Sequence, residues 1–274
     1  MSELTEVNSY MSGTMSKSDK ILFLPKTAFK SAVCSANYCA HTLGIAKPRQ
    51  KVFAIGFNKT GTSSLHELFV AMKYHSFHGE YWRKTSSTKF HILYDAFCDG
   101  IPEDFRELDR AFPNSKFILQ VRDLDSWLSS RIEHINRRSS NRKNKISDDW
   151  TVENESIMEW IIQRNKHHLD VMSYFENRPD DLLIINYIRD PGSVQKISSF
   201  LNSDIQIAKP HANKAKARNV KLKNSDLIEN CFELLNLPKE EWKSDLVCKS
   251  LIAESPAEFH GAYDTDELQV ESIK

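Results

Sequence analysis

Gly56-Phe57-Asn58-Lys59-Thr60-Gly61-Thr62-Ser63-Ser64 is the stretch on which the fold turns. Ahead of it, Val52-Phe53-Ala54-Ile55 is a short apolar run that ends in glycine, the pattern of a parallel strand buried on both faces. Behind it, between Ser63 and Lys73, Leu65, Leu68, Phe69 and Met72 recur at i, i+3, i+4 and i+7, which predicts an amphipathic helix. Strand, glycine-bounded loop and helix in direct succession open a βα unit. A helix N-terminus entered through such a loop presents free backbone N–H groups and the positive end of its dipole, and so can bind phosphate.

The order of residues inside the loop narrows its chemistry. The nucleotide-hydrolase version reads G-x-x-x-x-G-K-[ST], with the lysine directly after the second glycine. Gly56 and Gly61 keep that separation, but Thr62 stands where the lysine belongs and the lysine has moved ahead, to Lys59. A lysine there can reach the bridging oxygen on which charge develops as a sulfuryl or phosphoryl group departs. Thr62, Ser63 and Ser64 add hydroxyls and N–H donors at the helix start. Taken alone, these residues also suit an ordinary turn and helix cap.

The same alternation continues downstream. Pro102 suits the first turn of a helix carrying Phe105, Leu108 and Phe112, stopped by Pro113. Phe117 to Val121 reads as a second strand, followed by a helix from near Asp125. A longer helix is expected from about Asn154 to Glu176, a strand at Leu182 to Ile185 and a helix from Val194 to Leu201. Two short helices separated at Pro238 close the chain between Ser225 and Glu254. Such alternation predicts an α/β fold in three layers, a central parallel sheet flanked by helices. Residues 21–254 are expected to form one domain. The serine-rich start, 1–20, reads as a tail, Ala28 to Leu43 as a short helix, and 255–274 as a loose acidic tail.

Arg122, at the end of the second strand, lies where open α/β sheets bind ligands. Ser130, eight residues on, falls two helical turns further and can face the same crevice. Together they offer charge-assisted bonds to one phosphate; a strand-end arginine paired with Asp123 or Asp125 is the simpler alternative. Here the residues resemble a family. Phe57 to Ser64 is similar to the 5′-phosphosulfate loop of sulfotransferases that use 3′-phosphoadenosine 5′-phosphosulfate (PAPS). Phe112-Pro113-Asn114-Ser115-Lys116-Phe117-Ile118, leading into Arg122 and Ser130, is similar to their 3′-phosphate element. The resemblance spans roughly Lys51 to Asn213 and is closest to bacterial-type members without a signal segment. It implies that Lys59, Thr60, Gly61, Thr62, Ser63 and Ser64 hold the 5′-phosphosulfate, that Arg122 and Ser130 hold the 3′-phosphate, and that no metal is needed.

Transfer to a hydroxyl needs a base near the acceptor. Similar enzymes of the carbohydrate and tyrosyl-protein branches carry a glutamate base about twenty residues after the loop. Glu80 follows Lys59 by 21 residues and is the first candidate; His78 is the second. Asp95 and Asp99 are further candidates for orienting the acceptor, although cap and turn roles account for them equally well. Two basic clusters stand out. Arg137, Arg138, Arg142, Lys143 and Lys145 follow the Arg122–Ser130 helix, as a loop that covers the cofactor, holds an anionic acceptor or is simply solvated. Lys209-Pro210-His211-Ala212-Asn213-Lys214 resembles the close of the sulfotransferase core, and Lys214, Lys216 and Arg218 stand where similar enzymes bring basic residues onto the 3′-phosphate.

Bulk properties bound these readings. The chain has 274 residues, 40% hydrophobic and 27% charged, with 37 basic and 37 acidic side chains, so total charge favours no polyanionic partner. The basic clusters lack the aromatic interleaving of a nucleic-acid module. No apolar run approaches the roughly 20 residues that span a bilayer. Five scattered cysteines without a Cys-x-x-Cys pair point to reduced thiols in a cytoplasmic setting. The expected acceptor is a small molecule or carbohydrate. A P-loop kinase or hydrolase and a non-catalytic phosphate-binding protein are the alternatives.

Overall fold

The pattern at 52–71 folds as its hydrophobic spacing requires. In the computed structural model, which describes residues 50–85, 88–141, 152–204, 207–210 and 225–253, strand β1 (Val52–Ala54) runs through the loop into helix α1 (Thr62–Ala71). β2 (Ser76–His78), a 3₁₀ turn (Glu80–Arg83), α2 (Thr88–Ile92) and β3 (Ala96–Cys98) follow. Then come α3 (Phe105–Ala111), β4 (Lys116–Gln120), α4 (Leu124–Asn141) and α5 (Asn154–Phe175). β5 (Leu182–Ile185), α6 (Ser193–Phe200), α7 (Ser225–Leu234) and α8 (Ser250–Ala253) complete the described elements. The sequence readings at 1–20, 28–43 and 255–274, and those on Lys214, Lys216 and Arg218, lie outside the described residues.

The five strands are parallel, in the order β2-β3-β1-β4-β5. β1 therefore sits between β3 and β4, and the chain changes direction across the sheet there. That switch point is where open α/β sheets leave a crevice at the strand ends. Alternation along β1 explains the layers. Val52 and Ala54 face Leu65, Leu68 and Phe69 of α1 with Val194 and Ile197 of α6. Phe53 and Ile55 face Phe105 and Leu108 of α3 with Val171 and Phe175 of α5. Phe53 stacks on Phe97 at a centroid distance of 5.2 Å and on Phe117 at 5.5 Å, tying β1 to both neighbours. A third core joins α4, α5 and α7 through Trp127, Ile132, Ile157, Trp160, Ile228 and Phe232. Helices cover both faces of the parallel sheet, the arrangement that strands apolar on both sides demand.

Three sequence readings are corrected. Arg137 and Arg138, expected in a loop, lie within helix α4, and Arg142, Lys143 and Lys145 lie outside the described residues. The helix expected from Pro102 begins at Phe105, because Asp104 accepts a hydrogen bond from the Arg106 amide and caps it. Between α7 and α8, Pro238 does more than separate two helices, since it leads into a further 3₁₀ turn, Lys239–Lys243. β2, β3 and α2 have only three to five residues, too few to show a period.

Arg164 of α5, fully buried, draws the C-terminal segment onto the sheet. It donates to the carbonyls of Arg122 at 3.0 Å, Ser244 at 3.0 Å and Asp245 at 2.6 Å, and burial pushes its pKa down to about 10. At the root of the loop, Gly56 is the tightest glycine. Its amide donates to Gln120 Oε1 at 3.0 Å and its carbonyl accepts from Gln120 Nε2 at 3.1 Å. A Cβ there would stand 2.1 Å from the Gln120 carbonyl oxygen. Because the obstacle is backbone in the sheet, Gly56→Ala should destabilise by about 3 kcal/mol. Gly192→Ala meets only an ordinary 3.4 Å contact with Asp190 and should stay within about 0.5 kcal/mol. Urea denaturation of the two variants checks both.

Candidate active site

The loop from β1 is held in a costly conformation. Lys59 has φ 70° and Gly61 φ 99°, and left-handed backbone costs a non-glycine residue roughly 1–2 kcal/mol. Four contacts stabilise it. Arg122 Nη1 donates to the Lys59 carbonyl at 3.0 Å, and Trp127 Nε1 donates to the Asn58 carbonyl at 3.0 Å. Arg131 Nη1 reaches Asn58 Oδ1 at 3.1 Å, and the Thr60 hydroxyl donates to the Phe57 carbonyl. Below the loop, His167 Nε2 lies 2.7 Å from the Ile55 carbonyl. Gly61 caps α1 with no side-chain hydrogen bond, and the first bond back to it comes from the Leu65 amide at 3.0 Å. The opening amides of α1 are thus directed at the crevice, as an anion requires.

Around that cradle the charges are mostly positive. Burial lowers the Lys59 pKa first, helped by Arg137 and Arg122 and opposed by Asp99 and Glu133. Arg122 is likewise lowered by burial, with Asp123 and Asp125 opposing. Asp123 therefore acts on Arg122 electrostatically, while its carboxylate accepts from the Ser126 amide at 3.0 Å. Burial pushes Arg131 down to about 10; its guanidinium lies 4.3 Å from the Trp160 ring centre and its Nε is buried with no hydrogen-bond partner among the described residues. Burial, then Lys59, Arg138, Arg137 and Arg131, push His134 down to about 4.

On the other side of the loop, His78 Nε2 lies 3.3 Å from both Thr62 Oγ1 and Ser63 Oγ, and 4.0 Å from Asp99 Oδ1. Its ring is 5.6 Å from that of His66, whose Nδ1 is 2.9 Å from Ser76 Oγ. Glu80, two residues further on, is exposed and pairs with Arg83 Nη2 at 3.1 Å. Ser64 and Ser130 are half-buried, Ser130 preceding Arg131 on α4. The structure thus joins Lys59, Thr62, Ser63, His78 and Arg122 around one loop, with Glu80 at the rim. Sequence reasoning took in Asn58 as part of the loop, without a role of its own, and missed Gln120, Trp127, Arg131 and His134. Of these only Arg131, adjacent to Ser130, carried any signal.

A comparison with known families bears on this geometry, because the sulfotransferase domain family matches residues 51–217, more than half of the chain. The chain belongs to the sulfotransferase family. The matched region takes in the loop, Arg122 and the whole parallel sheet. Among solved structures, a sulfotransferase from Alicyclobacillus acidocaldarius is similar at 14% identity, covering 71% of this chain and 98% of that one with a TM-score of 0.42. No curated protein matches the chain significantly. Among the described residues of this sulfotransferase, no cluster of three or more histidine, cysteine, aspartate or glutamate side chains could hold a metal ion. No helix there is long and apolar enough to cross a membrane, and Cys98, Cys231 and Cys248 are buried free thiols.

The depressed His134 pKa gives a checkable consequence. A histidine whose folded pKa is lowered contributes stability that is full above its unfolded value near 6.5 and is lost as pH falls towards about 4. An NMR titration should put its midpoint near 4, and Lys59→Met should move that midpoint upward by removing a neighbouring positive charge.

Proposed function

We propose that this sulfotransferase moves a sulfuryl group from PAPS to an acceptor hydroxyl by in-line displacement. One observation carries the reading: a half-buried lysine precedes an uncapped helix N-terminus in a loop bonded to a strand-end arginine. The donor set suits a phosphosulfate, since it combines main-chain amides, the Thr62 and Ser63 hydroxyls and two cations without a carboxylate inside the loop itself. Lys59 would stabilise the charge left on the departing phosphate oxygen, and residues Thr60 to Ser64 would cradle the 5′-phosphosulfate. Arg122 has one of its five N–H donors on the Lys59 carbonyl. With Ser130 it would hold the 3′-phosphate, and Lys214, Lys216 and Arg218 would add charge to that phosphate.

Thr62 in place of the P-loop lysine argues against ATP as the ligand. The two base candidates from sequence stand at the end of β2, His78 as its last residue and Glu80 two residues on. His78 meets the loop hydroxyls, and Glu80 is engaged by Arg83. A small alcohol or a carbohydrate hydroxyl is the acceptor in this reading, with the chain working in the cytoplasm.

Adenosine 3′,5′-bisphosphate should raise the melting temperature without magnesium, and Mg-ATP should raise it far less. Lys59→Ala should cut transfer by about 10²- to 10³-fold while far-UV circular dichroism stays unchanged. A protein that neither ligand stabilises would not be a PAPS enzyme.

A further inference from the structure

We infer that Asp99 is the general base that takes the proton from the acceptor hydroxyl, an inference that rests on the PAPS-dependent reading above. Asp99 is the first residue after β3, and β3 lies between β1 and β2 in the sheet. Cys98 pairs with His78 in the strand register, so the ends of β2 and β3 reach the crevice together, beside the loop that leaves β1. The Asp99 carboxylate is 4.0 Å from His78 Nε2, and its side chain is 28% exposed. Its charge also acts on the Lys59 ammonium. It therefore lies within electrostatic reach of both the loop lysine and the histidine, and is partly open to an incoming hydroxyl.

The other two candidates are engaged elsewhere. Glu80 is 61% exposed at its side chain and bonded to Arg83 within the same 3₁₀ turn. His78 turns Nε2 towards Thr62 Oγ1 and Ser63 Oγ. An imidazole nitrogen carries either one proton or one lone pair, so a nitrogen committed to loop hydroxyls serves the cradle better than the acceptor. A carboxylate has several acceptor positions, and the His78 nitrogen, 4.0 Å away, lies beyond hydrogen-bonding distance and occupies none of them.

The backbone adds an independent sign. Asp99 has φ 115°, well beyond the left-handed region near +57° that aspartate tolerates in turns, and Gly100 follows at φ 97°. A glycine at 99 would hold this turn without strain, yet a carboxylate stands there. Residues kept at such a cost gather at functional sites. In the reaction, the acceptor oxygen bonds to sulfur and its proton passes to the Asp99 carboxylate. The bond from sulfur to the bridging oxygen breaks, and that oxygen leaves with the electron pair on the 5′-phosphate of adenosine 3′,5′-bisphosphate, facing Lys59.

The test uses the full chain and needs no knowledge of the natural acceptor. Asp99→Asn keeps the shape of the side chain and removes only its charge and basicity, leaving the backbone strain unchanged. Removing a carboxylate from beside Lys59 should tighten adenosine 3′,5′-bisphosphate by about 3- to 10-fold in calorimetry. Single-turnover consumption of PAPS, with water or methanol as acceptor, should fall by about 10²- to 10⁴-fold. Asp99→Gly should raise the melting temperature by relieving the backbone while losing the same activity. Retained turnover in Asp99→Asn, weaker bisphosphate binding, or a larger loss in Glu80→Gln measured alongside would each overturn the assignment. So would a wild type that binds the bisphosphate yet leaves PAPS intact with both acceptors, because a base poised at the reacting sulfur acts on any hydroxyl that reaches it. A wild type that fails to bind the bisphosphate would instead remove the PAPS reading itself.

Discussion

The amide of Gln120, bonded both ways to the backbone of Gly56, is the contact on which the loop depends. It joins the last residue of β4 to the second residue after β1, at the position where the sheet changes direction. Gly56 has no room for a side chain against that strand, so the loop leaves β1 at one fixed height. From there the left-handed Lys59 and Gly61 turn the chain into α1. Unsatisfied amide groups in such a buried position would cost about 1–3 kcal/mol each, and a side-chain amide, having both a donor and an acceptor, meets both at once.

Outward from this point, the site is held mainly by long side chains from α4 and α5. Trp127 and Arg131 hold Asn58, His167 holds Ile55, and Arg164 draws the Ser244–Asp245 backbone against Arg122. Each bonds to backbone or to a neutral amide, leaving few carboxylates to balance the buried cations. The result is a crevice where burial depresses Lys59, Arg122, Arg131 and His134 alike. A cationic hollow of this kind is electrostatically unfavourable until an anion enters it. The Nε of Arg131, buried without a hydrogen-bond partner among the described residues, adds to that cost.

Much of the fold was legible because long elements show their period. α5 runs from Asn154 to Phe175, within a residue of its expected end, since apolar positions over 22 residues leave no ambiguity. β5 matches in its bounds, Leu182–Ile185, but as the edge strand it is half-buried at Leu182, Leu183 and Ile184 and buried only at Ile185, whereas the apolar run reads as a buried strand. The three-residue strands β2 and β3 were not legible. Their strand character comes from parallel pairing with neighbours, and Ser76-Phe77-His78 has no alternation long enough to read.

Sequence by itself determined the βα unit at 52–71, the displaced lysine and, with the second element from Phe112 to Ser130, the family to which they point, because each of these features lies within a short contiguous stretch and its flanking periods. Only the tertiary structure decided what surrounds them. Gln120, Trp127 and Arg131 meet the loop across 64 to 73 residues of chain, and Asp99 approaches His78 only because β3 inserts between β1 and β2. Such contacts follow from strand order, which depends on how separate segments pack together, and no local pattern of residues records it.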